Sequence, residues 1–170
     1  MTDTALQELL DSREIEKVLT AYCRGIDRCD VDLVASVYHD DAIDDHGIFQ
    51  GLGKDFAPFA VDSLPGLYDA TQHSIFNTSI EFENPTTAHV ETYVVAYHTR
   101  RDDEGDILET LGGRYVDRFE KRDNGWKIAD RLVLKDWDKR ERVSRYAGKI
   151  PQGGRLPDDP SYTRRQETAR

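Results

Sequence analysis

The chain has no continuous apolar stretch near the roughly 18 to 20 residues that a membrane span takes, so no transmembrane segment is expected. Its N-terminus, MTDTALQELLDSREIEK, carries acids where a signal peptide has bases and lacks an apolar core of suitable length, which reads as a cytoplasmic protein. There are only 2 cysteines, Cys23 and Cys29. Their C-x5-C spacing matches neither a zinc knuckle nor a thioredoxin-like motif, and two thiols cannot specify a disulfide framework. A glycine-rich phosphate loop, a G-x-S-x-G elbow and a Cys-His arrangement are all missing, which excludes nucleotide-dependent and covalent acyl-transfer mechanisms. Positive charge is short too: 23 basic residues face 33 acidic ones, for a net charge of −10. An acidic body repels phosphate backbones, so nucleic acid is excluded as a partner.

What remains is the composition of one ordinary domain. At 170 residues, with 38% apolar and 33% charged residues, the chain can bury about two-thirds of its unfolded surface around one modest core. Ile15, Val18, Leu19, Tyr22 and Ile26 form one stripe of an amphipathic helix, with Leu6, Leu9 and Leu10 out of phase. Asp11 followed by Glu14 resembles a capping box that restarts or bends the helix there. A second helix fits DVDLVASVYHD, capped by Asp30 or Asp32, and FAPFAVDSL gives a short third one stopped by Pro65-Gly66. From residue 68 the period changes to that of strands: Phe76, Ile80 and Phe82 share a parity, as do Val90, Val94 and Ala96. Asn124-Gly125 marks a tight hairpin, and Gly112-Gly113 inside a strand marks a bend or bulge. Helices followed by long antiparallel strands imply an α+β domain with a strongly curved sheet wrapped over N-terminal helices.

The last segment, residues 139–170, holds nine basic against four acidic residues, leaving −15 on residues 1–138. With Tyr146, Ile150, Leu156 and Tyr162 as spaced anchors, it reads either as an extended arm lying on an acidic surface or as a solvated tail. Three groups of residues are candidates for chemistry. Tyr22 and Asp27 can border one cavity if the helix ends near Gly25; equally, Asp27 can cap a turn and Tyr22 be plain core. His73, at the start of the first long strand, is either structural or the partner of Asp27 in a dyad whose carboxylate fixes the imidazole tautomer. Asp44 and His46 share a strand face and, with His73, admit a two-histidine, one-carboxylate metal site. The order D-x-H is unusual for that class and no further ligand is fixed, so no metal is expected. His89 and His98 fall on opposite parities of one strand.

The run YCRGIDRCDVDLVASVYHDDAIDDHG, the histidine of TQHSIFN and the pair GGRYVDRFEKRDNGWKI resemble the SnoaL-like branch of the nuclear transport factor 2-like superfamily, over roughly residues 8 to 138. Within it the likeness is to bile-acid 7α-dehydratase and γ-hexachlorocyclohexane dehydrochlorinase, and more distantly to scytalone dehydratase. The resemblance implies a cone-shaped α+β barrel over residues 1–138, with residues 139–170 as its C-terminal arm, and a homotrimer. It implies Asp27 and His73 as the Asp-His dyad and Tyr22 as the tyrosine that precedes the Asp by five in the bile-acid enzyme. Ala96 stands where that enzyme has a further pocket aspartate, and Lys135 where it has a late pocket arginine. The implied activity is a cofactor-independent dehydratase acting on a hydrophobic cyclic substrate such as a steroid, with His73, Asp27 and Tyr22 catalytic and Asp44, His46, Tyr97 and Lys135 binding substrate. A double-bond isomerase using the same dyad and a non-catalytic binding or assembly protein are the alternatives.

Overall fold

The computed structural model describes residues 3–144 and 148–167, without the side chains of residues 165–167. Helix α1 (Asp3–Arg28) buries Ile15, Leu19, Tyr22 and Ile26 along the expected stripe and leaves Leu6, Leu9 and Leu10 exposed. It does not restart at Asp11. That carboxylate is buried and accepts Lys121 Nζ at 2.7 Å, so it serves a tertiary ion pair and not a cap. Helix α2 (Val31–Ser36) is capped by Asp30, which accepts the Leu33 N–H at 3.0 Å. It is shorter than expected because Tyr38 already begins strand β1 (Tyr38–Asp45), next to Val37, whose carbonyl accepts the Ile128 N–H at 2.9 Å. After the short β2 (Gln50–Leu52), helix α3 (Gly53–Leu67) continues through Pro65-Gly66 instead of stopping there.

Four long strands follow: β3 (Ala70–Asn84), β4 (Thr87–Asp102), β5 (Gly105–Arg122) and β6 (Gly125–Val143). The sheet order is β2-β1-β6-β5-β4-β3, with every neighbouring pair antiparallel except β1 and β6. The fold is thus α+β with a mixed sheet, and that sheet is open: β2 and β3 are its two edges. One sheet face supplies Ala88, Val90, Val94, Tyr115, Phe119 and Ile128 to a core completed by the helices. Such a core is the main favourable term in folding. No helix among the described residues is long and apolar enough to cross a membrane.

The ladders slip register at several points, two of them within segments singled out in the sequence. The β3–β4 register slips between Ile75 and Thr78, so inward positions change from odd to even numbers along β3. Phe76 therefore does not share the face of Ile80 and Phe82 and is 57% exposed. The second slip, between Gly112 and Gly113 in the β5–β6 ladder, is the expected bulge.

Strand β6 continues past Asp138 to Val143, so the boundary expected at 138 falls inside the sheet. Beyond it, residues 148–167 fold back onto the C-terminal end of α1, ending in helix α4 (Pro160–Glu167). The Leu156 N–H donates to Arg28 O at 2.8 Å, Tyr162 Oη donates to Asp30 Oδ2 at 2.8 Å, and Arg155 Nη2 donates to Tyr68 O at 2.7 Å. Of the expected anchors, Tyr162 docks, Ile150 and Leu156 stay exposed, and Tyr146 lies outside the described residues. The charge pattern at the contact is also mixed: the arm's Asp159 pairs with Arg28 of the body at 3.2 Å.

Candidate functional site

Asp27 sits in the last turn of α1, which runs along β3 near His73. Its carboxylate holds that residue by both main chain and ring. The His73 backbone N–H donates to Oδ1 and Oδ2 at 3.1 and 2.9 Å, and Nδ1 lies 2.8 Å from Oδ1. A carboxylate only accepts, so Nδ1 carries the hydrogen, and Nε2 of the neutral ring is the basic nitrogen. The two side chains are 10 and 11% exposed, a partly desolvated setting in which a short charge-assisted bond is strong.

His98, on β4, belongs to the same sheet face, because it pairs in register with Thr71 while His73 pairs with Ala96. Its ring meets that of His73 edge-on, with centroids 5.5 Å apart, and stacks on Tyr68 at 4.6 Å. Burial first, and the neighbouring His73 second, push its pKa down to about 4, so it is neutral at physiological pH. Tyr68 Oη donates to Glu109 at 3.3 Å, and Arg100 holds the same carboxylate at 3.0 Å. His98, Tyr68 and Glu109 line a cleft of about 310 Å³ together with Leu111, Lys135 and Arg140, and His73 meets that cleft only through the ring of His98.

A second constellation lies deeper. Tyr22 is five residues before Asp27 and so is turned about 140° from it around α1. Its hydroxyl meets His46 Nε2 at 2.9 Å. His46 Nδ1 contacts Asp44, whose other oxygen accepts Tyr38 Oη at 2.6 Å, and the His46 ring stacks on Phe56 at 4.0 Å. Asp44 pairs in register with Arg131 of β6. Arg131 makes a two-pronged bond to Asp117 at 2.8 and 2.6 Å, with both side chains fully buried, and its guanidinium lies 4.2 Å from the ring centres of Tyr22 and Tyr115. Its Nη1 has no partner among the described residues. Burial pushes the Asp117 carboxyl up against the pull of Arg131, and burial likewise pushes the Tyr22 phenol well above its ordinary value. Cys23 feels both Arg131 and Asp27 and so stands between the two constellations; burial pushes its thiol up to about 12.

The structure therefore brings Asp27 to His73 and gathers Tyr22, Asp44 and His46 into a separate cluster. His46 spends both ring nitrogens on Tyr22 and Asp44, and among the described residues no group of three or more His, Cys, Asp or Glu side chains is arranged to hold a metal. Tyr97 pairs with Gln72 and Thr110, so it lies on the sheet face opposite His73 and is not at the dyad. Lys135 lines the cleft, 58% exposed and bonded to Asp138 at 2.8 Å, whereas Arg131, also on β6, is fully buried. Arg131, Asp117 and His98 are participants that the sequence reading does not single out, and two of them carry a signal. Asp117 alternates with Tyr115 and Phe119, a charged residue on an apolar inward parity, and that pattern signals a buried partner. His98 follows Val94 and Ala96 on the inward parity of β4.

A family profile matches residues 7–132 and describes a SnoaL-like domain. Curated protein sequences give no match. Among solved structures, the chain is similar to a scytalone dehydratase-like protein from Novosphingobium aromaticivorans, with a TM-score of 0.70 and 21% identity over 90% of this chain and 97% of that one. It is similar to a type 2 hexachlorocyclohexane dehydrochlorinase, with a TM-score of 0.75 and 21% identity over 85% and 98% of the two chains. The corresponding type 3 dehydrochlorinase from Novosphingobium barchaimii gives 0.73 and 19% identity over 87% and 99%. Identities this low speak for the fold, and the profile spans α1 through the Arg131 segment of β6. Both constellations are thus built on the matched part of the chain, which belongs to the SnoaL-like domain family.

Proposed function

We propose that this protein is a cofactor-independent lyase of the dehydratase type, removing water from a hydrophobic cyclic substrate such as a steroid or polycyclic intermediate. The observation that carries the reading is the grip of Asp27 on His73, main chain and ring together. A base held in one tautomer and one orientation needs no rearrangement before it takes a proton from a carbon next to an activating group, and such a base contributes roughly 10² to 10⁴-fold. Developing negative charge would be met by hydrogen-bond donors, for which the Tyr22 hydroxyl and the unpartnered Arg131 Nη1 are the candidates. Similarity to a hexachlorocyclohexane dehydrochlorinase and a scytalone dehydratase-like protein also supports elimination as the reaction class.

The test is a mass-spectrometric screen of hydroxylated steroids and aromatic intermediates. Loss of water is expected with the intact protein, and none with His73→Ala, which should remain folded. A near-full rate in that variant removes His73 as the base. Unchanged product mass identifies an isomerase, and binding without turnover identifies a binding protein.

The outer sheet face is proposed to pack between copies of the chain as a homotrimer. It exposes Phe76, Tyr93, Leu132 and Trp137 at 57, 46, 39 and 50%. Sedimentation at micromolar concentration should give three times the chain mass, and a monomer there sinks the assignment.

A further inference from the structure

We propose that His46, held by Asp44, decides which way the Tyr22 hydroxyl points its proton, and so makes Tyr22 the acid that protonates the leaving oxygen. The proposal rests on the dehydratase reading above. It starts from the hydrogen count. Asp44 can only accept, so His46 Nδ1 keeps its hydrogen in every state. Nε2 is 2.9 Å from Tyr22 Oη and the phenol has one proton. When Nε2 is bare, Tyr22 must donate to it, and that proton is unavailable to anything else. When Nε2 carries a hydrogen it donates instead, and the phenol proton is free to turn away from His46.

The surroundings favour this use of the pair. The titratable and charged groups around His46 are Tyr22 from α1, Tyr38 and Asp44 from β1, Asp117 from β5 and Arg131 from β6, with Phe56 of α3 stacked on its ring. The His46 side chain is 16% exposed while Tyr22 is 2% exposed, so His46 can refill from solvent and Tyr22 is the inner end of the relay. A phenolate at Tyr22 is costly, because burial already holds the phenol protonated. Proton loss from Tyr22 must therefore be matched by proton delivery from His46.

In the proposed step the substrate C–H bond breaks and its proton goes to His73 Nε2, while the carbon–carbon double bond forms. The C–O bond breaks with its electron pair on oxygen, which takes the Tyr22 proton and departs as water. His46 Nε2–H reprotonates Tyr22. His46 ends neutral and His73 protonated, and exchange with solvent restores both.

The test needs no substrate at first. The full chain, with 15N-histidine and 13Cζ-tyrosine, is titrated by NMR between about pH 5 and 9, the range in which histidine switches. His46 Nδ1 should stay protonated throughout, Nε2 should titrate, and the Tyr22 Cζ signal should move with the same midpoint. In His46→Gln the Tyr22 signal should be flat; should that variant not fold, Tyr22→Phe should shift the His46 midpoint. A Tyr22 signal that ignores a titrating His46, or a His46 that does not titrate in this range, overturns the proposal. Once the screen supplies a turned-over steroid or aromatic alcohol, His46→Gln should lower kcat about a hundredfold, with KM little changed and the alkaline limb of the pH profile gone. Retained kcat in that variant overturns the relay while leaving the His73 base standing. Retained activity in His73→Ala removes the base while the NMR coupling still judges His46.

Discussion

Arg131 carries a full charge into a fully buried place, and it is tolerated because three neighbours share the cost: Asp117 through two bonds and the faces of Tyr22 and Tyr115. Removing one member of such a pair strands the other. Arg131→Met should therefore destabilise the fold by about 3 to 5 kcal/mol, and adding Asp117→Leu should recover much of the loss, since paired apolar replacements in cores are often neutral. Urea unfolding of the two variants checks this, and equal stability of the single and double variants would show that Asp117 is not left uncompensated. The orphaned Nη1 has a separate meaning, since a buried donor without a partner is expensive unless function uses it.

At the scale of elements, the Gly112-Gly113 bulge leaves no room for a side chain between β5 and β6. A Cβ on Gly113 would lie 2.1 Å from the Leu134 carbonyl oxygen, which belongs to the main chain and cannot swing aside. Gly113→Ala should cost about 3 kcal/mol by overpacking, read as a lower midpoint in denaturant, and a change within about 0.5 kcal/mol would mean that the bulge relaxes freely. This glycine pair was legible in the sequence because a Gly-Gly inside a strand has few other uses. The helix stripe, the Asn124-Gly125 hairpin and the Asp27–His73 candidates were legible as well, the first two from period and turn chemistry and the last with help from a family resemblance. The end of α2 was not, because DLVASVYH has helical spacing and only its pairing with a strand some ninety residues away converts Tyr38 to sheet. Phe76 was misplaced because one extra residue in β3 inverts every side chain after it, and local sequence does not record a bulge opposite ordinary residues. Asp11 failed as a cap for a similar reason: its partner, Lys121, is distant in sequence.

For the whole molecule, the arm and the mixed sheet raise different questions. The arm reaches Arg28, Asp30 and Tyr68, which flank Asp27 and His98, so it closes the dyad end of the fold with hydrogen bonds and one ion pair. Truncation after Ser144, which spares β6, should lower Tm by several degrees, as a loss of about 1 kcal/mol does in a domain of this size, and should weaken substrate retention. An unchanged Tm and affinity would show that the arm is a passenger. The single parallel pairing, β1 with β6, bears on the order in which the molecule assembles. Tyr22, Tyr38, Asp44 and His46 emerge early from the ribosome, but the strand that covers them and supplies Arg131 is made last among the sheet strands. Contacts this far apart in sequence carry a large loop-closure cost and slow folding. The hairpins of β3 to β6 should thus gain protection from hydrogen exchange before β1 does, and the cluster around Arg131 should be the final part to become dry. Pulse-labelling during refolding would read that order directly; early protection of β1 would reverse it.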